Sequence, residues 1–188
     1  MNRTLVERLR PALQTWSLLP QAVSHQAAWW ACVLWMGWLG PATMAIFLIA
    51  HLMITRDHFN REVALIGCST LVGLVLDNLL SASGMVTYVG GLLAGRSPIW
   101  LVSIWAGFGA TLHHSQHVLV RSRSAALMTG ALGGPLAYWG GEKLERLSVV
   151  GIEGWLAVSV LWTIALLILH SIVRHQRNDP SNRKETLS

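Results

Sequence analysis

The side chains that could do chemistry are one group of histidines and one acid. The apolar segment from Pro98 to Val120, PIWLVSIWAGFGATLHHSQHVLV, carries His113, His114 and His117 near its end. Imidazole suits iron, and His113 and His117 are one helical turn apart. Asp77 is the only acidic residue well inside an apolar run. Ionisable groups in such runs pair with a partner or belong to a pathway for a substrate, an ion or a proton.

A metal or haem site is one interpretation of the histidines. Membrane di-iron desaturases and hydroxylases need several histidine boxes, and HHSQH is the single box of this sequence. The main prediction is therefore that no cofactor is bound, and that the histidines bond to neighbouring helices or meet lipid headgroups. In the alternative, a metal or haem is held across helices. Its ligands would be His51, His113, His114 and His117.

Asp77 has two interpretations, which the sequence leaves open. Ser69, Gly73 and Asp77 recur every four residues, so the acid shares a packing face with small groups and points into the protein. Because no Lys or Arg lies inside a predicted span, we expect a neutral or hydrogen-bonded acid. It is either part of a pathway or a structural group bonded to Asn78, a tryptophan indole or backbone freed near Pro135.

Small and polar residues on two later segments predict a cavity. One stripe of the segment 98–120 is small and polar on an otherwise apolar helix, so it faces protein. Its residues are Ser103, Gly107, Ala110, His114 and His117. The segment 124–139 carries GALGGP, which combines a GxxxG spacing with a proline that removes a helix hydrogen bond. Tight packing alone is the alternative for GALGGP. The predicted cavity lining is Asn78, Ser103, Thr111, His117, Gly130, Gly134 and Pro135.

The elements that must position these groups are transmembrane helices. The chain is 53% hydrophobic and 12% charged, about half the charge of an average globular chain. We predict an all-α, polytopic bundle of six spans, with a break at Gly40-Pro41 and a kink or break at Pro135. The predicted spans are 24–39, 41–55, 63–83, 98–120, 124–139 and 152–173.

The basic residues predict the orientation of this bundle. Eleven of the 14 Lys and Arg residues fall on one side of the six spans, which places both termini in the cytoplasm. Their distribution among loops argues against a nucleic-acid partner, despite the pI near 10. The predicted organisation is a basic, amphipathic segment 1–23, a transmembrane domain 24–173 and a disordered tail 174–188. Residues 85–97 are predicted to form an ordered loop or re-entrant turn.

This topology separates two polar zones. The histidines at 51, 113, 114, 117 and 170 map to the cytoplasmic halves of their spans, whereas Asp77, Asn78 and Glu142 map to the outer half. The outer zone is thus centred on Asp77. The other zone opens toward the cytoplasm.

Five blocks of the sequence carry a resemblance to a known family. They are HQAAWWACVL, LGPATMAIFLIAHL, LVLDNLL, SPIWLVSIWAGFGATLHHS and ALGGPLAYWGG. Over residues 25–170 the chain resembles domain-of-unknown-function family 2878, small tryptophan-rich inner-membrane proteins of proteobacteria. The matching polar positions are His51, Asp77 and His114, the predicted catalytic centre. The resemblance also implies membrane lipid, because relatives tend to be encoded near fatty-acid-modifying methyltransferases and flavin oxidoreductases.

Three functional hypotheses follow. The leading one is membrane-lipid handling, by an enzyme or by the membrane partner of soluble lipid-modifying enzymes. The second is a small transporter or permeation subunit in which Asp77 carries a proton or cation. The third is a structural subunit in which tryptophans and glycines serve packing.

Overall fold

The computed structural model describes residues 3–90 and 96–178, with side chains from residue 18 onward, and this part of the chain is mostly helical. Helices α1 (Arg3–Leu34) and α2 (Leu39–Ile54) form a hairpin. The predicted break exists, but it lies at residues 35–38 rather than at Gly40-Pro41. A proline in the first turn of a helix lacks only an N–H that has no partner there, so Gly40-Pro41 begins α2 instead of interrupting it.

Gly40 lets the two helices of the hairpin approach closely. A Cβ at this position would lie 2.6 Å from the Cα of Cys32. Helix α1 also runs without interruption past Pro11, although proline disfavours the interior of a helix. The side chains that would make segment 1–23 amphipathic lie mostly outside the described residues.

Within the described residues, two helical segments are long and apolar enough to cross a membrane. They are Arg56–Ala82, which contains a 3-10 turn (Arg56–His58) and α3 (Phe59–Ala82), and α7 (Gly151–Asn178). They agree with the predicted spans 63–83 and 152–173. Helices α2 and α4 (Ile99–Thr111) are apolar but shorter. The all-α prediction is thus confirmed in its main lines, and among the described residues the combination of length and apolar composition needed to span a membrane is found in these two segments.

The predicted fourth span, 98–120, is not one helix. Helix α4 stops at Thr111, and the chain continues through tight turns to a 3-10 turn (His117–Val120). The Gln21 side chain of α1 donates to the Ala110 carbonyl at 3.2 Å and accepts from the Ser115 N–H at 3.1 Å. These backbone groups would otherwise need partners at the helix end.

The predicted fifth span contains the expected irregularity. It divides into α5 (Arg123–Met128), a π-helical turn (Thr129–Gly133) and α6 (Gly134–Lys143). Pro135 has no N–H to give the Ala131 carbonyl, which accepts instead from the Ser159 hydroxyl of α7 at 2.9 Å. The predicted irregularity near Pro135 therefore exists, in the form of a π-helical turn just before it.

A short antiparallel ribbon was missed. Strands β1 (Val86–Tyr88) and β2 (Leu147–Val149) pair with Val86 opposite Val149. Three-residue strands carry too little alternation to be recognised in a sequence. Residues 91–95 of the predicted loop and 179–188 of the predicted disordered tail lie outside the described residues, although α7 extends into the first part of that tail.

The buried core lies where α3 packs against α4 and α7. A large share of the outer surface is apolar; Ile54, for example, is 82% exposed, and Trp38 is 73% exposed. Extensive exposed apolar surface is typical of chains whose outer face meets lipid or another protein.

Candidate functional site

Three side chains from three parts of the fold converge on the carboxylate of Glu62, which is fully buried in the first turn of α3. His51 of α2 places Nε2 3.3 Å from Oε2, and His114 of the turn after α4 places Nε2 3.3 Å from Oε1. The Arg61 guanidinium lies 3.3 Å from Oε1. We call Glu62, His51 and His114 the Glu62 cluster.

Gln21 fixes the tautomer of His51. Its amide Oε1 accepts from one backbone N–H and its Nε2 donates to one backbone carbonyl, so the orientation of the amide is set. The same Nε2 lies 3.3 Å from Nδ1 of His51, which must therefore accept. The proton of a neutral His51 then resides on Nε2 and is donated to Glu62.

The ending of α4 at Thr111 is what brings His114 to this cluster. In a continuous helix, His114 would stay on the stripe of Ser103 and Gly107, as the sequence predicts. The turn instead carries it to Glu62, and His113 to α7, where its Nε2 lies 2.7 Å from Oε1 of Gln176. The predicted stripe is thus wrong beyond Thr111.

A groove between α1 and α2 ends at the cluster. It has a volume of about 690 Å³, and its walls are mostly Ala, Leu, Ile and Phe side chains. From Ala31 to Gln21 it follows ten residues of α1, which is about 15 Å of helix. His51 and His114 belong to its lining, and Nδ1 of His114 has no hydrogen-bond partner in the described part of the chain.

The Glu62 cluster has the composition of a metal site. Two imidazole nitrogens and one carboxylate oxygen lie within 4.8 Å of one another, and such a set suits iron or zinc. However, a metal needs the lone pair of the His51 Nε2, where Gln21 places a proton. Loading would require Gln21 to release the ring. Of the alternative ligands predicted from sequence, His51 and His114 come together here, while His113 and His117 point elsewhere.

Asp77 lies in a second, separate cluster, fifteen residues after Glu62 on the same helix. Its carboxylate accepts from the Trp105 indole N–H at 2.9 Å, from the Tyr88 hydroxyl at 3.3 Å and from the Tyr138 hydroxyl. The two tyrosine oxygens are 3.0 Å apart. Burial raises the pKa of Tyr88, so this phenol remains a donor. Of the partners that the sequence suggested for Asp77, a tryptophan indole does bond to it, whereas Asn78 bonds to Leu74 and Ser97 instead.

Asp77 and the two histidines therefore do not form one centre. Fifteen residues of α3 separate Glu62 from Asp77, which is about 22 Å along the helix. The three residues predicted as one polar centre are thus divided between two clusters, in line with the two polar zones.

The predicted cavity residues serve several different contacts. Ser103 and Thr111 each donate to a carbonyl of their own helix. Asn78 donates to Leu74 and accepts from the Ser97 N–H. Each of these three side chains has a local structural partner.

The GALGGP residues pack against α7. A Cβ on Gly130 would overlap the backbone of Thr163, and one on Gly134 would overlap the Trp162 side chain. Pro135 begins α6 beside them. His117 lines a basic cavity between α5 and α7.

Glu62 was missed because the polar run TRDHFNRE reads as a loop before the third span. The signal was nevertheless present. Counting back seven residues from Ser69, two helical turns along the stripe of Ser69, Gly73 and Asp77, gives Glu62. Gln21 carried no comparable signal, since its role depends on contacts with the distant residues Ala110 and Ser115.

Comparison with known families agrees with the sequence blocks. The family described as "Protein of unknown function (DUF2878)" matches residues 18–168. The chain belongs to this family. In this DUF2878 protein the match includes Gln21, the Glu62 cluster and the Asp77 cluster. No curated protein and no solved structure matches the chain.

Proposed function

We propose that this protein is a multi-pass protein of the bacterial inner membrane that binds a membrane lipid in the groove between α1 and α2. The observation that carries the proposal is the groove itself, which has mostly apolar walls and histidines at one end. Ligand sites are typically 300–1,000 Å³, mostly apolar, with a few convergent polar groups. This groove has that size and that distribution of polarity.

The two ends of the groove suit the two ends of an acyl lipid. Ala27, Ala28, Ala31 and Ile46 offer no hydrogen bonds to a ligand through their side chains, and each buried methylene of a chain contributes about 0.8 kcal/mol. His114 lies at the other end with Nδ1 available for a headgroup or carboxyl oxygen.

The Glu62 cluster would give this polar end its chemistry. A carboxylate that orients an imidazole beside a binding groove is the arrangement used for acid–base catalysis. Glu62 holds His114 by Nε2, so Nδ1 would exchange a proton or hydrogen bond with the lipid. The protein would then either modify the lipid itself or present it to soluble lipid-modifying enzymes.

The six-span topology belongs to the same proposal. The positive-inside distribution and the exposed apolar side chains support it, and both termini would be cytoplasmic. Reporter fusions after Trp38, Gly95 and Gly151 should then indicate the periplasm, and fusions after Asn60, Ser122 and Ser188 the cytoplasm. A cytoplasmic signal at Gly95 would overturn the six-span arrangement.

Lipid binding is tested by filling the groove. Ala50 and Ala45 are both exposed residues of α2, but only Ala50 lines the groove. Purified protein should be photolabelled with phosphatidylethanolamine that carries a photoactivatable acyl chain. We expect Ala50→Trp to reduce labelling of groove peptides about tenfold, which corresponds to about 1.4 kcal/mol of lost packing.

Ala45→Trp is the matched control and should label like the unmodified protein. Equal labelling of both variants, or labelling spread evenly over all exposed helix faces, would mean that the groove has no specific lipid. A comparison of the lipidome of a deletion strain with that of its parent then separates modification of lipid from presentation.

A further inference from the structure

We propose that the basic cavity between α5 and α7 binds the phosphate of an anionic phospholipid headgroup. The cavity has a volume of about 350 Å³ and shares no lining residue with the groove or the Glu62 cluster. Four arginines from two walls line it. They are Arg121, Arg123, Arg174 and Arg177.

The arrangement of charge is the first argument. In the described part of the chain, none of these arginines forms an ion pair with an acidic side chain, and no acidic residue belongs to the described cavity lining. Arginine matches phosphate oxygens through paired N–H groups, and it is less strongly hydrated than lysine. A cavity with four such groups therefore favours a phosphate anion.

The helix dipole is a simpler explanation, but it accounts for only two of the four arginines. Arg174 and Arg177 lie near the C-terminal end of α7, where cations are favoured by the helix dipole. Arg121 and Arg123 lie on the opposite wall, before and at the start of α5, where the dipole gives cations no such preference. The helix dipole therefore does not explain why these two arginines line the same cavity as those of α7.

The walls of the cavity are held in place. His170 of α7 donates from Nδ1 to the Val120 carbonyl at 2.7 Å, which ties the 3-10 turn to α7. The Ser122 hydroxyl accepts from the Ala125 N–H at 3.1 Å and fixes the chain between the two arginines of that wall. His117 adds a buried Nε2 without a hydrogen-bond partner in the described structure.

The surroundings favour a lipid over a free phosphate. On α7, the exposed Ile164 and Ile168 precede Arg174 by ten and six residues, or about 15 and 9 Å along the helix. Val118, 53% exposed, flanks the cavity from the 3-10 turn. The cavity thus lies where apolar surface changes to charged surface, the level at which basic pockets bind anionic headgroups.

The test compares two lipids and two arginines. Native mass spectrometry should be performed on the full chain in detergent, titrated with phosphatidylglycerol or with phosphatidylcholine of the same acyl chains. We expect phosphatidylglycerol to bind more tightly, and Arg174→Gln and Arg123→Gln each to weaken it about fivefold. Arg56→Gln is the control, because this arginine is 83% exposed and lies outside the cavity.

Four outcomes would overturn the proposal. Equal affinity for the two lipids would exclude recognition of anionic headgroups. An equal loss of phosphatidylglycerol affinity in Arg56→Gln would indicate general attraction to the charged surface. A loss of affinity in Arg174→Gln but not in Arg123→Gln would mean that only the arginines favoured by the α7 dipole contribute. Tight binding of inorganic phosphate that displaces phosphatidylglycerol would assign the cavity to free phosphate. Ala50→Trp should leave this affinity unchanged, so the groove and the cavity can fail independently.

Discussion

Glu62 and Asp77 are both fully buried acids on the packed side of α3, yet their surroundings differ in kind. The donors of Glu62 are two imidazoles and a guanidinium, groups that carry or exchange protons, and both imidazoles line a groove. Asp77 is enclosed by two phenols and an indole. Burial of an acid in an apolar helix is therefore weak evidence of function. The chemistry of its donors, and their access to a ligand, separate the two sites.

This comparison favours the structural interpretation of Asp77 and gives the functional role to Glu62. Asp77 joins α3 to α4, α6 and the β ribbon through Trp105, Tyr138 and Tyr88. Gly73, one turn earlier, is what lets the Trp105 ring lie against α3, because a Cβ there would overlap the indole.

The largest expected effect is that of Asp77→Leu on folding. It would leave the Trp105 N–H and at least one phenol without an acceptor in the core, at about 1–3 kcal/mol for each unsatisfied group. Unfolding in mixed micelles should show a loss of about 3 kcal/mol or more. Asp57→Leu, at an exposed acid, is the control and should be nearly neutral. A stable Asp77→Leu would remove the structural role assigned to this cluster.

Gly73→Ala should have the next largest effect. The added Cβ meets the Trp105 ring, and overpacking of this kind costs about 1–3 kcal/mol. Gly67→Ala is the matched control on the same helix, since no atom lies within 4 Å of its added Cβ. It should be neutral or stabilising by up to about 1 kcal/mol. Equal unfolding free energies for the two variants would show that Trp105 does not need the close contact.

The isosteric amides should separate the two acids by function. Asn at position 77 can accept from Trp105 and donate to both phenols, so Asp77→Asn should cost about 1 kcal/mol or less and keep lipid labelling. Glu62→Gln should be similarly stable but should lose labelling at His114, or complementation of a deletion strain. If Asp77→Asn folds but fails to complement while Glu62→Gln succeeds, the comparison is reversed and the pathway interpretation of Asp77 stands.

The smallest expected effect concerns metal at the Glu62 cluster. In Gln21→Glu, a carboxylate would accept from Nδ1 of His51 and free the Nε2 lone pair. Because partners of this kind change metal affinity about 10–100-fold, Zn²⁺ should bind this variant about tenfold more tightly than the unmodified protein. Gln26→Glu, on an exposed position of α1, is the control. Equal Zn²⁺ affinity in all three proteins, by titration against a chelator, would show that Gln21 does not control the tautomer.

The local pattern of the sequence was sufficient to predict much of the fold. The apolar runs predicted α3 and α7 and the presence of a break between α1 and α2. Gly130, Gly134 and Pro135 predicted an irregular, closely packed segment. The i,i+4 face of Ser69, Gly73 and Asp77 predicted which side of α3 is buried. These features follow from hydrophobic period and backbone chemistry, which are properties of neighbouring residues.

Tertiary contacts decided the rest. Helix α4 ends at Thr111, although the apolar run continues, because Gln21 from α1 provides partners for the Ala110 carbonyl and the Ser115 N–H. That ending takes His114 out of the predicted stripe and brings it to Glu62, 52 residues earlier in the chain. The β ribbon likewise depends on pairing between residues about sixty positions apart. Helical periodicity reports only on residues within a few turns, so contacts at these separations are fixed by the packed fold.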